Sequence, residues 1–191
     1  MQIGDDVADA VMHGCTVVFP TDVAYALGCD PCRSEAVARV CAAADSGGLD
    51  LYVADAIEAL EYCARNVGNF ATVRCLLPGP LTLVVERPGF VTAHVTGGMP
   101  TLRLRVPEHA LCAALLERCG PLAAATVAPG PRGTWSECDV FVDNGPPRTP
   151  GEATVLDLTA GRPRLVREGI ITMEMLEKAI GRVDPPLNGS S

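Results

Sequence analysis

The sequence predicts a single α/β domain built on a mixed sheet. Three observations predict it. Helix-period and strand-period segments interleave along the chain, and several strand-to-strand links are too short for a crossover helix, so some neighbouring strands must run antiparallel. The third is length, since 191 residues suit one domain with one core. The domain is expected over residues 1–183, with residues 184–191 as a flexible polar tail.

The elements follow in order. Asp5 or Asp6 is placed to cap a first helix with Val7, Ala8 and Val11 on one face, and Gly14 suits its exit. Residues 16–19 read as a short strand. Ser34 is placed to cap a helix running to Ala43, and Asp55 with Glu58 makes a capping-box pattern opening a helix towards Arg65. Between these helices, residues 50–53 read as a strand. Residues 81–86 and 101–106 are β-rich, and the second run alternates Leu102, Leu104 and Val106 with Arg103 and Arg105, which sets both arginines on one face. Pro107 and Glu108 begin a helix that ends near Gly120. The small-residue run 122–127 reads as a central, closely packed strand. Residues 139–142, 154–158 and 164–166 read as further strands, and Thr172 caps a last helix ending at Gly181.

Composition excludes several classes of function. Apolar residues make up 48% of the chain but come in short blocks, none near the roughly 20 residues that span a bilayer. The start, Gly4-Asp5-Asp6, has neither the basic nor the apolar region of a secretory signal, so a cytoplasmic location and no membrane partner are expected. Of 9 cysteines, Cys29 and Cys32 form the one C-x-x-C pair, with no second pair or nearby His, so reduced thiols and no structural metal are expected. A net charge of −8 opposes a broad grip on nucleic acid. Of the 15 basic residues only Lys178 is a lysine, so any phosphate must be held by arginine, backbone N–H groups or a metal.

The segment Pro20-Thr21-Asp22-Val23-Ala24-Tyr25-Ala26-Leu27-Gly28 directly follows an apolar strand, where open sheets place ligands. Its hydroxyls, on Thr21 and Tyr25, suit a small polar substrate, although a capped turn with a packed tyrosine reads the same way. Five later segments accompany it: Pro78-Gly79-Pro80-Leu81-Thr82, Arg103 to His109, Pro121 to Thr126, Ala153 to Asp157, and Arg167-Glu168-Gly169-Ile170. In this order the six resemble the motifs of the YrdC-like family, the threonylcarbamoyl-AMP synthases. The resemblance implies a single YrdC-like domain, an open twisted mixed sheet flanked by helices around a concave ligand cleft. It further implies an enzyme joining L-threonine, bicarbonate and ATP, with Mg²⁺ if ATP is bound, into threonylcarbamoyl-AMP and pyrophosphate for a tRNA adenosine modification. Carried over residue by residue, it assigns Thr21, Tyr25, Arg105 and Thr126 to substrate and Arg103, Thr154 and Arg167 to nucleotide. It assigns no catalytic residue. His109 and Trp135 read as structural.

The chain departs from the family pattern where phosphate would be held. Counting back from Gly48-Leu49 puts Cys41 and Ala43 at the positions of the family's Lys-x-Arg pair, and no Lys or Arg occurs between Val40 and Ala64. The family's S-A-N reads Thr126-Val127-Ala128, its S-T-V reads Ala153-Thr154-Val155, and Glu168 replaces a proline beside the expected phosphate site. Two readings of function follow. One is a divergent synthase-type or related nucleotide- or carbamoyl-handling enzyme; the other is a catalytically inactive binding or regulatory module that keeps the cleft for a small anion or nucleotide. RNA binding, sometimes ascribed to the family, is opposed by the net charge. A protein partner or homodimer remains open.

Overall fold

The computed structural model describes residues 4–63, 67–127, 134–143, 145, 147 and 149–187. Among them, nine strands form one open mixed sheet. In chain order these are β1 (Val17–Pro20), β2 (Tyr25–Cys29), β3 (Asp50–Tyr52), β4 (Leu81–Glu86), β5 (Thr101–Arg105), β6 (Leu122–Val127), β7 (Val140–Phe141), β8 (Thr154–Asp157) and β9 (Arg164–Arg167). The spatial order is β7-β1-β2-β6-β3-β5-β4-β8-β9. Parallel pairing joins β1 to β7, β3 to β5 and β4 to β8, and the remaining neighbours are antiparallel, as the short links require. Six helices flank it: α1 (Asp5–Met12), α2 (Ser34–Ala43), α3 (Ala56–Tyr62), α4 (Val67–Leu76), α5 (Ala110–Cys119) and α6 (Met173–Ile180).

Most helix boundaries sit within a residue or two of their sequence signals. Asp55 caps α3 by accepting from the N–H groups of Ile57 and Glu58, and Glu58 Oε2 accepts from Ala54 N at 2.8 Å. Thr172 caps α6, which ends at Gly181 with φ of 83°. Three caps differ from expectation. Gly4 precedes α1, leaving Asp5 and Asp6 in its first turn, where carboxylates suit the helix dipole. Arg33 precedes α2, so Ser34 lies inside the helix. His109, not Pro107, opens α5, its Nδ1 accepting from Cys112 N at 3.3 Å. The helix after Asp55 ends at Tyr62, and Arg65 lies outside the described residues. Asp184 is no tail residue: its N–H donates to Pro163 O and its carbonyl accepts from Leu165 N, both at 2.9 Å.

Period-two alternation decides how the sheet is covered. On one face, Val18, Leu27, Leu51, Leu83, Leu104, Ala123 and Leu156 join α2, α3, α4 and α6 in the larger core. On the other, Val17, Phe19, Ala26, Tyr52, Leu122 and Ala124 pack under α5, with Val11 of α1. This second cover is shorter, and on the same face Asp50, Thr82, Arg103 and Arg105 line a cavity instead.

A glycine contact shapes the rim of that cavity. Leu49 N donates to Val95 O at 2.8 Å, drawing residues 96–98 onto residues 47–48. Gly97 has φ of 61°, and a Cβ there would stand 1.6 Å from Gly47 O. Gly97→Ala is therefore expected to lower the unfolding free energy by about 1–3 kcal/mol through backbone strain and displacement of this loop. Urea denaturation should show a lower midpoint with an unchanged m-value.

Candidate functional site

The cleft opens on the uncovered part of the sheet, with a volume of about 320 Å³. Each strand brings one or two polar side chains to it by parity: Thr126 from β6, Asp50 from β3, Arg103 and Arg105 from β5, and Thr82 from β4. Arg167 on β9 and the segment 151–153 close one side. The exit of α2 closes the other. There Asp45 N donates to Ala42 O and Ser46 N to Cys41 O, a Schellman turn with Asp45 at φ of 47°, a conformation aspartate tolerates better than most residues. This turn brings Ala44, Asp45 and Ser46 into the cavity wall.

Arg105 is the most deeply held cation, only 1% exposed. Its Nη2 donates to Asp22 Oδ1 at 3.2 Å and its Nη1 to the Tyr52 hydroxyl at 3.0 Å. The Asp22 carboxylate also accepts from Glu108 N at 3.4 Å, tying the β1–β2 turn to the end of β5. Burial pulls the Arg105 pKa down, but Tyr52, Asp22 and Asp50 outweigh it and hold the guanidinium above its ordinary value. Its Nε is buried without a hydrogen-bond partner among the described residues. Burial is the chief cause that raises the pKa of the Tyr52 hydroxyl, against the pull of Arg105.

Asp50 and Arg103 stand opposite each other in the parallel β3–β5 register. Arg103 Nε lies 2.8 Å from Asp50 Oδ1 and its Nη2 donates to Oδ2 at 3.4 Å. Burial pushes the Asp50 pKa up, against the pull of Arg103, Arg105 and Arg167. Arg167 is half exposed, 3.4 Å from Glu152 Oε2, and donates to Ala153 O at 3.1 Å.

Of the seven residues the sequence assigned to ligands, the structure gathers four in the cleft: Arg103, Arg105, Thr126 and Arg167. The other three serve the framework. Thr21 Oγ1 donates to Ala24 O at 2.7 Å and accepts from Val23 N and Ala24 N, closing the β1–β2 turn. Tyr25 shares the larger core with Leu27, packs against Trp135 and Phe141, and donates to Asp143 Oδ1 at 2.9 Å. Thr154 Oγ1 donates to Ile171 O and accepts from Gly169 N and Ile171 N, anchoring the approach to α6.

Two further expectations change. Cys41 packs against the larger core and Ala43 is exposed; neither lines the cleft, whereas Ala44 and Ser46, with the same spacing, do. Glu168 Oε2 accepts from Met173 N at 3.0 Å at the start of α6 and does not line the cleft. Trp135 is a packed aromatic, as read from the sequence, and Ala128 lies outside the described residues. The sequence reading missed Asp22, Asp50 and Thr82. Parity offered a signal for Asp50, since it shares a face with Tyr52, but its partner is set by cross-strand register.

An open sheet covered by helices on one face and only partly on the other, with three arginines in the gap, defines an α/β protein with a concave, charged cleft. A family model named Sua5/yciO/yrdC, described as telomere recombination, matches residues 9–169. The chain belongs to this family. It is 32% identical to a threonylcarbamoyl-AMP synthase of Pyrococcus abyssi, over 96% of this chain and 59% of the relative. It thus spans about three-fifths of that relative's length. Among solved structures, P. abyssi Sua5 complexed with L-threonine superposes with a TM-score of 0.84 at 29% identity, over 97% of this chain and 60% of that one. E. coli YciO gives 0.74 at 27% identity, over 87% of this chain and 88% of that one.

Two predictions follow from the burial of these charges. Asp22→Ala strands the Arg105 guanidinium and is expected to cost about 3–5 kcal/mol, whereas Arg167→Ala, breaking an exposed pair, should cost less than about 1 kcal/mol. Paired urea titrations compare them. For Asp50, the raised folded pKa means that the folded state takes up a proton at higher pH than the unfolded chain does. Its contribution to stability is therefore most favourable below the unfolded carboxylate range and is lost as pH rises through the folded value. Asp50→Asn should be at least as stable as the parent at neutral pH and should lose that advantage in acid, as read from stability against pH.

Proposed function

We propose that this chain is a divergent protein of the threonylcarbamoyl-AMP synthase type, whose cleft takes a small carboxylate-bearing ligand of the L-threonine class. The observation that carries the reading is the meeting of Arg103, Arg105, Arg167 and Thr126 in one cleft of the family's fold. Planar guanidinium groups and hydroxyls suit a carboxylate, which accepts paired hydrogen bonds. In the synthase reaction the threonine amine captures bicarbonate as a carbamate with loss of water, and a carbamate oxygen then attacks the α-phosphate of ATP, expelling pyrophosphate. That second step depends on positioning and on neutralising phosphate charge.

The triphosphate half is the weaker part of this cleft. Asp45, Asp50 and Glu152 line it together with the three arginines, so these six charges cancel. Mg²⁺, if ATP binds, would neutralise phosphate charge, and such an ion commonly takes only one or two protein carboxylates. Asp45, exposed on the α2 side of the cleft, is the carboxylate that fits that task, since Asp50 is already paired with Arg103. No group of three or more His, Cys, Asp or Glu among the described residues forms a ready-made metal cage, so the ion would have to come with the nucleotide. A second reading, a non-catalytic binding or regulatory module for a small anion or nucleotide, is favoured by the acid partner each arginine already has.

Calorimetric titration tests the proposal: L-threonine should give measurable heat, and Mg-ATP should bind weakly or not at all. With both ligands and bicarbonate, pyrophosphate release should stay far below about 1 per second, and turnover at that rate or faster would overturn the weak-triphosphate reading. Restoring cations where the α2 turn meets the cleft, as Ala44→Lys with Ser46→Arg, should strengthen Mg-ATP binding by about tenfold or more. An unchanged ATP affinity would show that this corner does not meet the phosphates.

A further inference from the structure

We propose that Asp50 receives the amino group of the ligand and selects for amine-bearing ligands, with Arg103 as its positioning partner. This rests on the carboxylate-ligand reading above and assigns the other end of the same ligand. Three observations place Asp50 in this role.

The first is that its carboxyl is held still and left partly free. Arg103 from the neighbouring strand holds both of its oxygens, with Nε 2.8 Å from Oδ1 and Nη2 donating to Oδ2 at 3.4 Å, yet a carboxyl has further acceptor positions, and Asp50 lines the cleft. The second is its place in the strand order. Asp50 stands on β3, next to the arginine strand β5, while Arg167 reaches the cleft from β9 on the far side of β4 and β8. Seen from Asp50, all three arginines lie on the β5–β9 side, so a short ligand with its amine on Asp50 turns its carboxylate towards them. The third is the wall beside Asp50. Residues 44–46 form the C-terminal turn of α2, the negative end of its helix dipole, with no basic side chain on it, and this favours a positive or N–H-bearing group over an anion.

The groups facing Asp50 give the pair its meaning. Burial pushes the Asp50 pKa up and Arg103, Arg105 and Arg167 oppose that rise, while its oxygens face the cleft as acceptors for an amine. Arg103 is half exposed and stabilises the fold little on its own, so its fixed contact with Asp50 serves orientation.

The test is a calorimetric comparison of L-threonine with 3-hydroxybutyrate, which keeps the carboxylate and hydroxyl and lacks the amine, on the parent and on Asp50→Asn. The parent should bind L-threonine at least about tenfold more tightly than 3-hydroxybutyrate, the size expected of one charge-assisted hydrogen bond. In Asp50→Asn that preference should shrink to within about twofold, through loss of threonine affinity with 3-hydroxybutyrate affinity retained. Equal affinity of the parent for both ligands would overturn the role of Asp50 while leaving the carboxylate reading in place. So would a variant that weakens both ligands alike, since that is the mark of a merely structural residue. Failure of the parent to bind either compound would overturn both proposals. If Asp50→Asn does not fold, Asp50→Ser is read in its place with the same two outcomes.

Discussion

The burial of one arginine organises this molecule. Arg105 sits in the sheet with almost no contact with solvent, and a guanidinium cannot be deprotonated to ease that burial. It must be met by acceptors, and they come from two separate elements: Asp22 in the β1–β2 turn and Tyr52 on β3. Asp22 in turn takes the Glu108 N–H just before α5. One charge thereby fixes the turn after the first strand, the middle of the sheet and the entry to a helix. Such a network is a poor route to stability, because a well-packed apolar substitute for a buried ion pair is commonly as stable or more so. A side chain of this cost, set in the wall of a cleft, makes better sense as the fixed half of a ligand contact.

The cleft itself is a consequence of unequal cover. All strands through the middle of the sheet turn their apolar residues to the face covered by α2, α3, α4 and α6, and that face closes into a continuous core. The opposite face carries a second apolar cluster where α1 and α5 reach, from Val17 and Phe19 to Leu122 and Tyr52. Beyond that boundary the same parity yields Asp50, Arg103, Thr82 and Thr126. The change from apolar to charged along one face is therefore the mark of where helical cover ends and the ligand surface begins. Tyr52 stands on the line, with its ring against Phe19 and its hydroxyl on Arg105.

The same parity explains what was legible in the sequence. Arg103 and Arg105 were readable as neighbours on one face because Leu102, Leu104 and Val106 alternate with them, and the central place of β6 followed from its run of small residues. The strand β2 was not read as a strand, since Tyr25–Cys29 follows its turn without a break and carries the look of a ligand loop. Once it is a strand, Tyr25 must share the face of Leu27 and leave the cleft. Gly68 and Asn69, poor helix formers, masked α4. Asp50 looked like an ordinary strand residue because only the β3–β5 register brings it to Arg103. The α2 turn was hidden for a similar reason: the helix end at Ala43 was readable, but the left-handed Asp45 that swings Ala44 and Ser46 into the wall was not.

That turn bears on what kind of ligand suits the cleft. A helix C-terminus carries partial negative charge worth roughly 0.3–1 kcal/mol against a nearby anion, and Asp45 adds a full carboxylate to it. A polyanion placed here needs side-chain cations to outweigh both, and Ala44 and Ser46 supply none. The arginines of the cleft cannot serve in their place, because Arg103 is bound to Asp50, Arg105 to Asp22 and Arg167 to Glu152, each cation already answered by an acid. Bringing in a triphosphate would mean breaking these pairs and exposing it to the acids set free. A ligand with one positive and one negative end breaks none of them: its carboxylate adds to the arginines while its amine lies against the acids. The pairing of opposite charges around the cleft thus favours a zwitterion over a nucleotide tail.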